Sequence, residues 1–352
     1  MTTEDVDQKA LDIFPGRVVR KDLVQDIKSG VNVPTYVLEY LIGQYCATDD
    51  EESLEEGIEK VKEILSKHYV RPDEAEFVKS EVREQGQYRV IDKVTVKLDE
   101  QQDAYVGSFV NLGLSDVEIS EHLVREHPKL LAGGVWAIID LEYLPDNAKG
   151  PHSLFGIDSF KPIQVSNLDL DQLKQRRGRF TRDEWLNLIL QTVGYDPSAF
   201  DKREKFLFLT RCLPLVESNY NYVELGPRGT GKSYLYREIS PHSILISGGK
   251  TTVAKLFLNL NTGRIGLVGR WDVVAFDEVG GLKFSDSEAV QMLKDYMESG
   301  SFSRGTEELT ATASMVYVGN IDLDVEGVLK SSHLFEPFPE EMQDLALIDR
   351  FH

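Results

Sequence analysis

The sequence predicts an α/β fold, with a parallel sheet and flanking helices in its C-terminal half. A helical segment and a small β-rich, barrel-like domain precede that core. Three observations carry the prediction. Gly226-Pro227-Arg228-Gly229-Thr230-Gly231-Lys232-Ser233 matches GxxxxGK[ST] in full, between an apolar strand-like run (Tyr222 to Leu225) and a helix-like run (Tyr234 to Ile239). About 45 residues after Lys232, the apolar run Val273-Val274-Ala275-Phe276 is closed by Asp277-Glu278. Upstream, Tyr88 to Val96 and Ala104 to Leu112 alternate at the period of strands.

Residues 1–75 read as helical. Tyr36 to Tyr45 forms one helix, and Glu55 to His68 forms another with Ile58, Val61, Ile64 and Leu65 on one face; Phe14-Pro15-Gly16-Arg17 reads as a loop. Asp49 to Glu56 is dense in carboxylates and reads as an exposed acidic loop. Residues 76–146 form the β-rich domain. After its two alternating strands comes a helix from Ser115 to Leu131, opened by a serine cap, and then a buried strand from Gly134 to Leu141. A barrel of OB type fits, but fold pattern alone does not establish single-strand binding. His122 and His127 are five apart on that helix, poor ligand spacing, and read as structural.

Residues 147–180 contain Asn147, Gly150, Pro151, Gly156 and Pro162 and read as a linker with a strand or two. Lys174 to Arg182 is the densest basic run, open to two readings: a solvated linker or a nucleic-acid contact. Residues 181–352 form the α/β core. Thr181-Arg182-Asp183-Glu184 is a capping box opening a helix from Trp185 to Gly194. A second capping box, Ser285 to Glu288, opens a helix to Ser299 with Ala289, Met292, Leu293, Tyr296 and Met297 on one stripe and Gly300 as its stop. Ser314 to Gly319 reads as a buried strand that Asn320 ends.

Each motif suggests a chemical role. Glycines at 226, 229 and 231 let backbone N–H groups turn inward around phosphate oxygens, with Pro227, Arg228 and Thr230 completing the loop. Lys232 can then reach β/γ-phosphates, and the Ser233 hydroxyl can ligate Mg²⁺. Asp277, at the carboxyl end of a buried strand, would hold the hydrated metal, and Glu278 would orient water for hydrolysis. ATP and Mg²⁺ are the implied cofactors. Asn320 reads equally as a sensor of the γ-phosphate or as an ordinary turn residue. Gly248-Gly249-Lys250-Thr251-Thr252 is not a second phosphate loop, because Ile244 occupies the place of the first glycine.

Composition sets limits. At 352 residues the chain is long enough for two or three cores. It has no apolar stretch of membrane-spanning length and no signal-peptide pattern, and its two cysteines match no disulfide or metal framework. A cytoplasmic protein with no membrane contact is expected. The net charge of −20 repels a phosphate backbone at long range, so any DNA contact needs basic residues gathered on one surface.

The order of these motifs resembles an AAA+ P-loop ATPase core, and Leu347-Ile348-Asp349-Arg350-Phe351 looks like the arginine-finger region of that superfamily. Leu213-Pro214-Leu215-Val216-Glu217, followed by Glu224 to Ser233, is most similar to the BrxL family, the Lon-like ATPases of BREX phage-defence systems. Residues 247–305 are also similar in layout to minichromosome-maintenance helicases, which carry one hairpin before the Asp-Glu strand and another before the sensor strand. The resemblance implies a hexameric, homo-oligomeric ring on double-stranded DNA, with other BREX proteins as partners. In it Arg350 would act at a neighbour's active site, and Lys250, Lys255, Arg264 and Arg304 would be carried on the two hairpins. An AAA+ module also carries a helical lid, so a truncated C-terminus is expected. No Ser–Lys segment suggests a protease. A protein-remodelling unfoldase of the Lon or Clp type is the alternative, and a nucleotide-gated scaffold is a third reading. Unfoldases grip with an aromatic–apolar pore loop, whereas the segment after Ile246 has no aromatic before Phe257.

Overall fold

In the computed structural model, the described residues are all except 1–2, 16, 29–32, 47–49, 146, 148–152, 164–168, 248, 261–262, 285–286, 305–306, 322–326 and 328–332. The chain divides into two units, Met1–Leu188 and Ile189–His352.

The first unit begins with α1 (Thr3–Ile13), α2 (Lys21–Lys28), α3 (Thr35–Tyr45), α4 (Glu51–His68) and α5 (Ala75–Gln85). Then come β1 (Gln87–Asp99), β2 (Ala104–Phe109), β3 (Val117–Ile119), α6 (Glu121–Glu126), α7 (Lys129–Ala132), β4 (Val135–Tyr143), β5 (Phe155–Pro162) and α8 (Leu170–Arg177). The five strands pair antiparallel in the order β3-β2-β1-β4-β5. The sheet curls, and ahead of its two edge strands the Ser153 N–H donates to the Asp116 carbonyl at 3.0 Å.

Both faces of this sheet are covered. Val90, Val94 and Val96 pack with Phe109, Ile139 and Leu141 on one side, while Ile91 and Trp136 face the helices through Val37, Leu38, Leu41, Val61 and Leu65. The period of two thus sends successive β1 residues into two different cores. Asp92 is fully buried in β1. It accepts N–H bonds from Lys93, Asn111 and Leu112 at 2.7, 3.0 and 2.8 Å, pinning the turn after β2. Burial pushes its carboxyl up to about 6.

Two sequence expectations are corrected in this unit. The acidic stretch is not a loop: Glu51 to Glu56 form the first turns of α4, where carboxylates favour the helix N-terminus, and Asp50 caps it by accepting from the Ser53 N–H. Asp49 lies outside the described residues. Ser115 to Leu131 is not one helix. Asp116 is left-handed at φ 59°, Val117–Ile119 pairs with β2, and the cap is Ser120, after which Pro128 separates α6 from α7. Residues 147–180 do carry a strand: β5 is the sheet's fifth, and the basic run begins in α8. There Arg176 lies over Phe14 and Arg177 over Trp185, at 5.7 and 5.0 Å. The capping box at Thr181 is formed: the Thr181 N–H donates to Glu184 at 2.7 Å, and the Glu184 N–H to the Thr181 hydroxyl at 3.3 Å.

That box opens α9 (Arg182–Val193), followed by α10 (Lys202–Thr210), β6 (Tyr222–Gly226), α11 (Lys232–Tyr234, continuing as a π-helical turn to Ile239) and β7 (Ser243–Ile246). Next are β8 (Lys250–Thr251), α12 (Val253–Leu256), β9 (Leu258–Asn259), β10 (Arg264–Ile265), β11 (Val273–Phe276), β12 (Lys283–Phe284) and α13 (Ser287–Ser299). The chain closes with β13 (Ser301–Arg304), β14 (Glu307–Thr310), β15 (Ser314–Asn320) and α14 (Leu345–Ile348). The main sheet is wholly parallel, in the order β6-β15-β11-β7. Val273, Ala275, Val316 and Val318 pack on one face with Leu235 and Tyr236. Val274, Phe276, Met315 and Tyr317 pack on the other with Leu293 and Tyr296 of α13. Cover on both faces explains why these strands read as unbroken apolar runs. The α13 stripe is buried as its spacing requires, and Gly300 stops the helix at φ 70°; Ser285 and Asp286 of the expected capping box lie outside the described residues.

Candidate functional site

Strand β6 delivers Gly226 to the carboxyl edge of the sheet, and residues 227–231 form an exposed loop there. Gly229 and Gly231 adopt φ of 77° and 75°, a region any side chain enters with strain. A Cβ on Gly229 would meet nothing within 4 Å, so the loop's backbone lies open to a ligand. Lys232, though buried, sits at the mouth of this loop. Its ammonium donates to the Gly226 carbonyl at 3.1 Å, to the Pro227 carbonyl, and to the Thr230 hydroxyl at 3.3 Å. Burial pushes it below the usual lysine range, against the pull of the Glu224 carboxylate.

The register of the sheet brings the distant motifs to this loop. Asn320 lies opposite Gly226, and the next N–H, that of Ile321, donates to the Gly226 carbonyl at 3.1 Å. One strand further, Asp277 follows β11, and its Oδ1 accepts from the Ser233 hydroxyl at 2.7 Å. The same oxygen accepts the Glu278 N–H at 3.1 Å. Glu278 is exposed and left-handed, at φ 52° without being glycine. Such strain is characteristic of sites where a side chain must be aimed rather than packed. Arg237 approaches Asp277 at 3.7 Å, a cation that no motif marks; its place five residues after Lys232 was the available signal.

A hydroxyl and a carboxylate in contact, beside a glycine loop and an ammonium, form a donor set suited to a phosphate with its divalent cation. Among the described residues no cluster of three or more His, Cys, Asp or Glu side chains could hold a metal without such a phosphate. None of the described helices is long and apolar enough to cross a membrane.

The residues suggested for DNA are less uniform. Two antiparallel hairpins are present, β9–β10 before β11 and β13–β14 before β15. Arg264 is on the first and Arg304 on the second. Lys250 and Lys255 are on neither: Lys250 lies in β8, paired with Lys283 of β12, and Lys255 is exposed on α12. Arg304 donates to the Leu258 carbonyl of β9, which ties the two hairpins together. The side chains of Lys250 and Arg264 lie outside the described residues. Arg350 is engaged within its own chain, donating to the Lys294 carbonyl at 2.9 Å, to the Ala346 carbonyl and to Glu298.

A parallel sheet carrying a glycine loop on one strand and Asp-Glu on another defines a class, the α/β domains with a phosphate-binding loop. Comparison narrows it. Residues 155–352 match the family model described as Lon-like protease BrxL-like, ATPase domain, and residues 12–143 match that of the BREX system Lon protease-like protein BrxL N-terminal region. The chain is 55% identical over 350 residues to a Lon-like protease BrxL of Bacillus cereus, and 51% identical over 348 residues to one of Escherichia coli. Each alignment covers 99% of this chain, which spans about half the length of these relatives (52% and 50%). The chain belongs to the BrxL family.

Proposed function

We propose that this chain binds Mg²⁺-ATP at the 226–233 loop, hydrolyses it, and works as a ring-forming motor or clamp on double-stranded DNA in BREX phage defence. The contact of Ser233 with Asp277 beside the glycine loop is the observation that carries the reading. Lys232 would move from the loop carbonyls to the phosphates, Ser233 and Asp277 would share the metal's coordination and hydration shell, and Glu278 would orient the attacking water. Bound there, Mg²⁺ neutralises charge on the transferring phosphoryl group.

For DNA, the support is the pair of hairpins carrying Arg264 and Arg304, together with the segment 247–257, whose one aromatic in sequence, Phe257, is fully buried. A protein-remodelling ring is the alternative. It draws on the relatives' description as Lon-like proteases and on Leu260, which is exposed beside the first hairpin. ATP turnover of the full-length protein decides between them, measured alone, with duplex DNA and with an unfolded polypeptide. Duplex DNA should stimulate turnover several-fold. Stimulation by polypeptide alone would replace the DNA reading, and indifference to both would leave a nucleotide-gated scaffold.

A further inference from the structure

Two opposite charges are buried near the phosphate loop, and the chemistry above does not use them. Arg211 caps the C-terminus of α10 and is 7% exposed. It donates to the Tyr195 hydroxyl at 2.6 Å, pairs with Glu224, and stacks on the Phe208 ring at 4.6 Å. Glu224 stands two residues before Gly226 on β6. Its side chain is 13% exposed, and its second oxygen is buried without a hydrogen-bond partner among the described residues. Two further approaches lie at the phosphate loop and at the helical turn after it. The Tyr195 hydroxyl is the nearest atom, at 3.8 Å, to where a Cβ on Gly231 would lie, and the Tyr236 hydroxyl donates to the Arg211 carbonyl at 2.9 Å.

A buried ion pair is a poor device for stability alone, because desolvating both charges offsets their attraction. An orphan carboxylate oxygen adds to that cost. The network does, however, touch the strand before the loop, the loop's last glycine and the helical turn after it.

We propose that Arg211, Glu224 and Tyr195 are positioning residues for the phosphate loop: their buried network joins β6, the surroundings of Gly231 and the helical turn at Tyr236, and fixes how these segments hold the loop between them. Glu224 stands on the strand that delivers Gly226, so losing its charge or its partner loosens the loop at its base. The inference rests on ATP binding at this loop.

The test measures Mg²⁺-ATP affinity of the full-length protein alongside Tm. Glu224→Gln should weaken binding on the order of tenfold, as losing one charge-assisted bond does. Should that variant fold poorly, Arg211→Met combined with Glu224→Leu replaces the pair by apolar groups of similar size, a change such pairs tolerate. The double variant should keep its Tm yet still bind ATP weakly. Wild-type affinity in the folded double variant would overturn the positioning role. Lys232→Ala separates the two levels. If wild type binds ATP and Lys232→Ala does not, the loop assignment stands whatever the network variants do. If wild type binds no ATP, both fall.

Discussion

Lys232 and Glu278 approach the same proposed phosphate from different strands, and their substitutions should part company. Lys232→Ala removes a charge-assisted donor, worth roughly 1.5–3 kcal/mol, so ATP affinity should fall on the order of ten- to a hundredfold. Glu278→Gln keeps the side chain's shape and leaves the loop intact, so binding should survive. Turnover should fall by about 10² or more, the usual loss when a positioned base is removed. Normal turnover by Glu278→Gln, measured with binding in parallel, would show that another residue orients the water. At this scale the motif residues were legible because their chemistry demands fixed types at fixed spacing. The left-handed backbone of Glu278 was not, since no residue type at 278 announces it. No motif singles out Arg211, and the stretch from Glu224 to Ser233 gives Glu224 no role; a carboxylate inside the apolar run Tyr222 to Leu225 was the signal.

Elements were legible where one period dominated. The α13 stripe and the apolar runs of β11 and β15 each see a uniform environment over their length, so pattern and structure agree. The Ser115–Leu131 region failed for a physical reason. A strand as short as Val117–Ile119 is held by its partner β2, a pairing that local propensity cannot register. The acidic stretch failed because charge density reads alike in a loop and in a helix N-terminus.

The hairpins belong to this scale too, and their basic residues are the ones proposed to face DNA. Reversing charge at Arg264 and Arg304 of the hairpins, together with Lys250 of β8, should weaken duplex binding. It should also flatten the dependence of log K on log salt by up to about 3, close to one unit for each phosphate no longer neutralised. Because Arg304 also bonds the Leu258 carbonyl, Arg304→Gln serves as a control that keeps a donor without the charge. Reversal at Lys174, Arg176 and Arg177 should matter less, since two of those side chains already lie over Phe14 and Trp185. An unchanged salt slope in the hairpin variant would remove the hairpins from the interface.

At the scale of the whole molecule, a chain of net charge −20 can approach DNA only by concentrating its cations, and a ring lining would do so. Ring assembly also gives Arg350 its proposed role at the neighbouring subunit's nucleotide. Within one chain the guanidinium rests on α13, where its Glu298 partner is 64% exposed. Releasing it toward a neighbour's phosphate gives up this exposed pair, worth about 0–1 kcal/mol, and the bonds to the Lys294 and Ala346 carbonyls. An arginine finger supplies on the order of 10³-fold in rate, about 4 kcal/mol, to set against that release. Arg350→Ala should therefore lose most ATPase activity while its own phosphate loop still binds ATP. Lys232→Ala should lose activity while its Arg350 stays intact. Full-length subunits of the two variants, mixed, should recover part of the wild-type rate, because some interfaces then pair an intact loop with an intact finger. Recovery should rise and then fall with the mixing ratio and reach its maximum between the pure variants. Absence of recovery in rings shown to have mixed would assign Arg350 to its own chain, as a strut between α14 and α13.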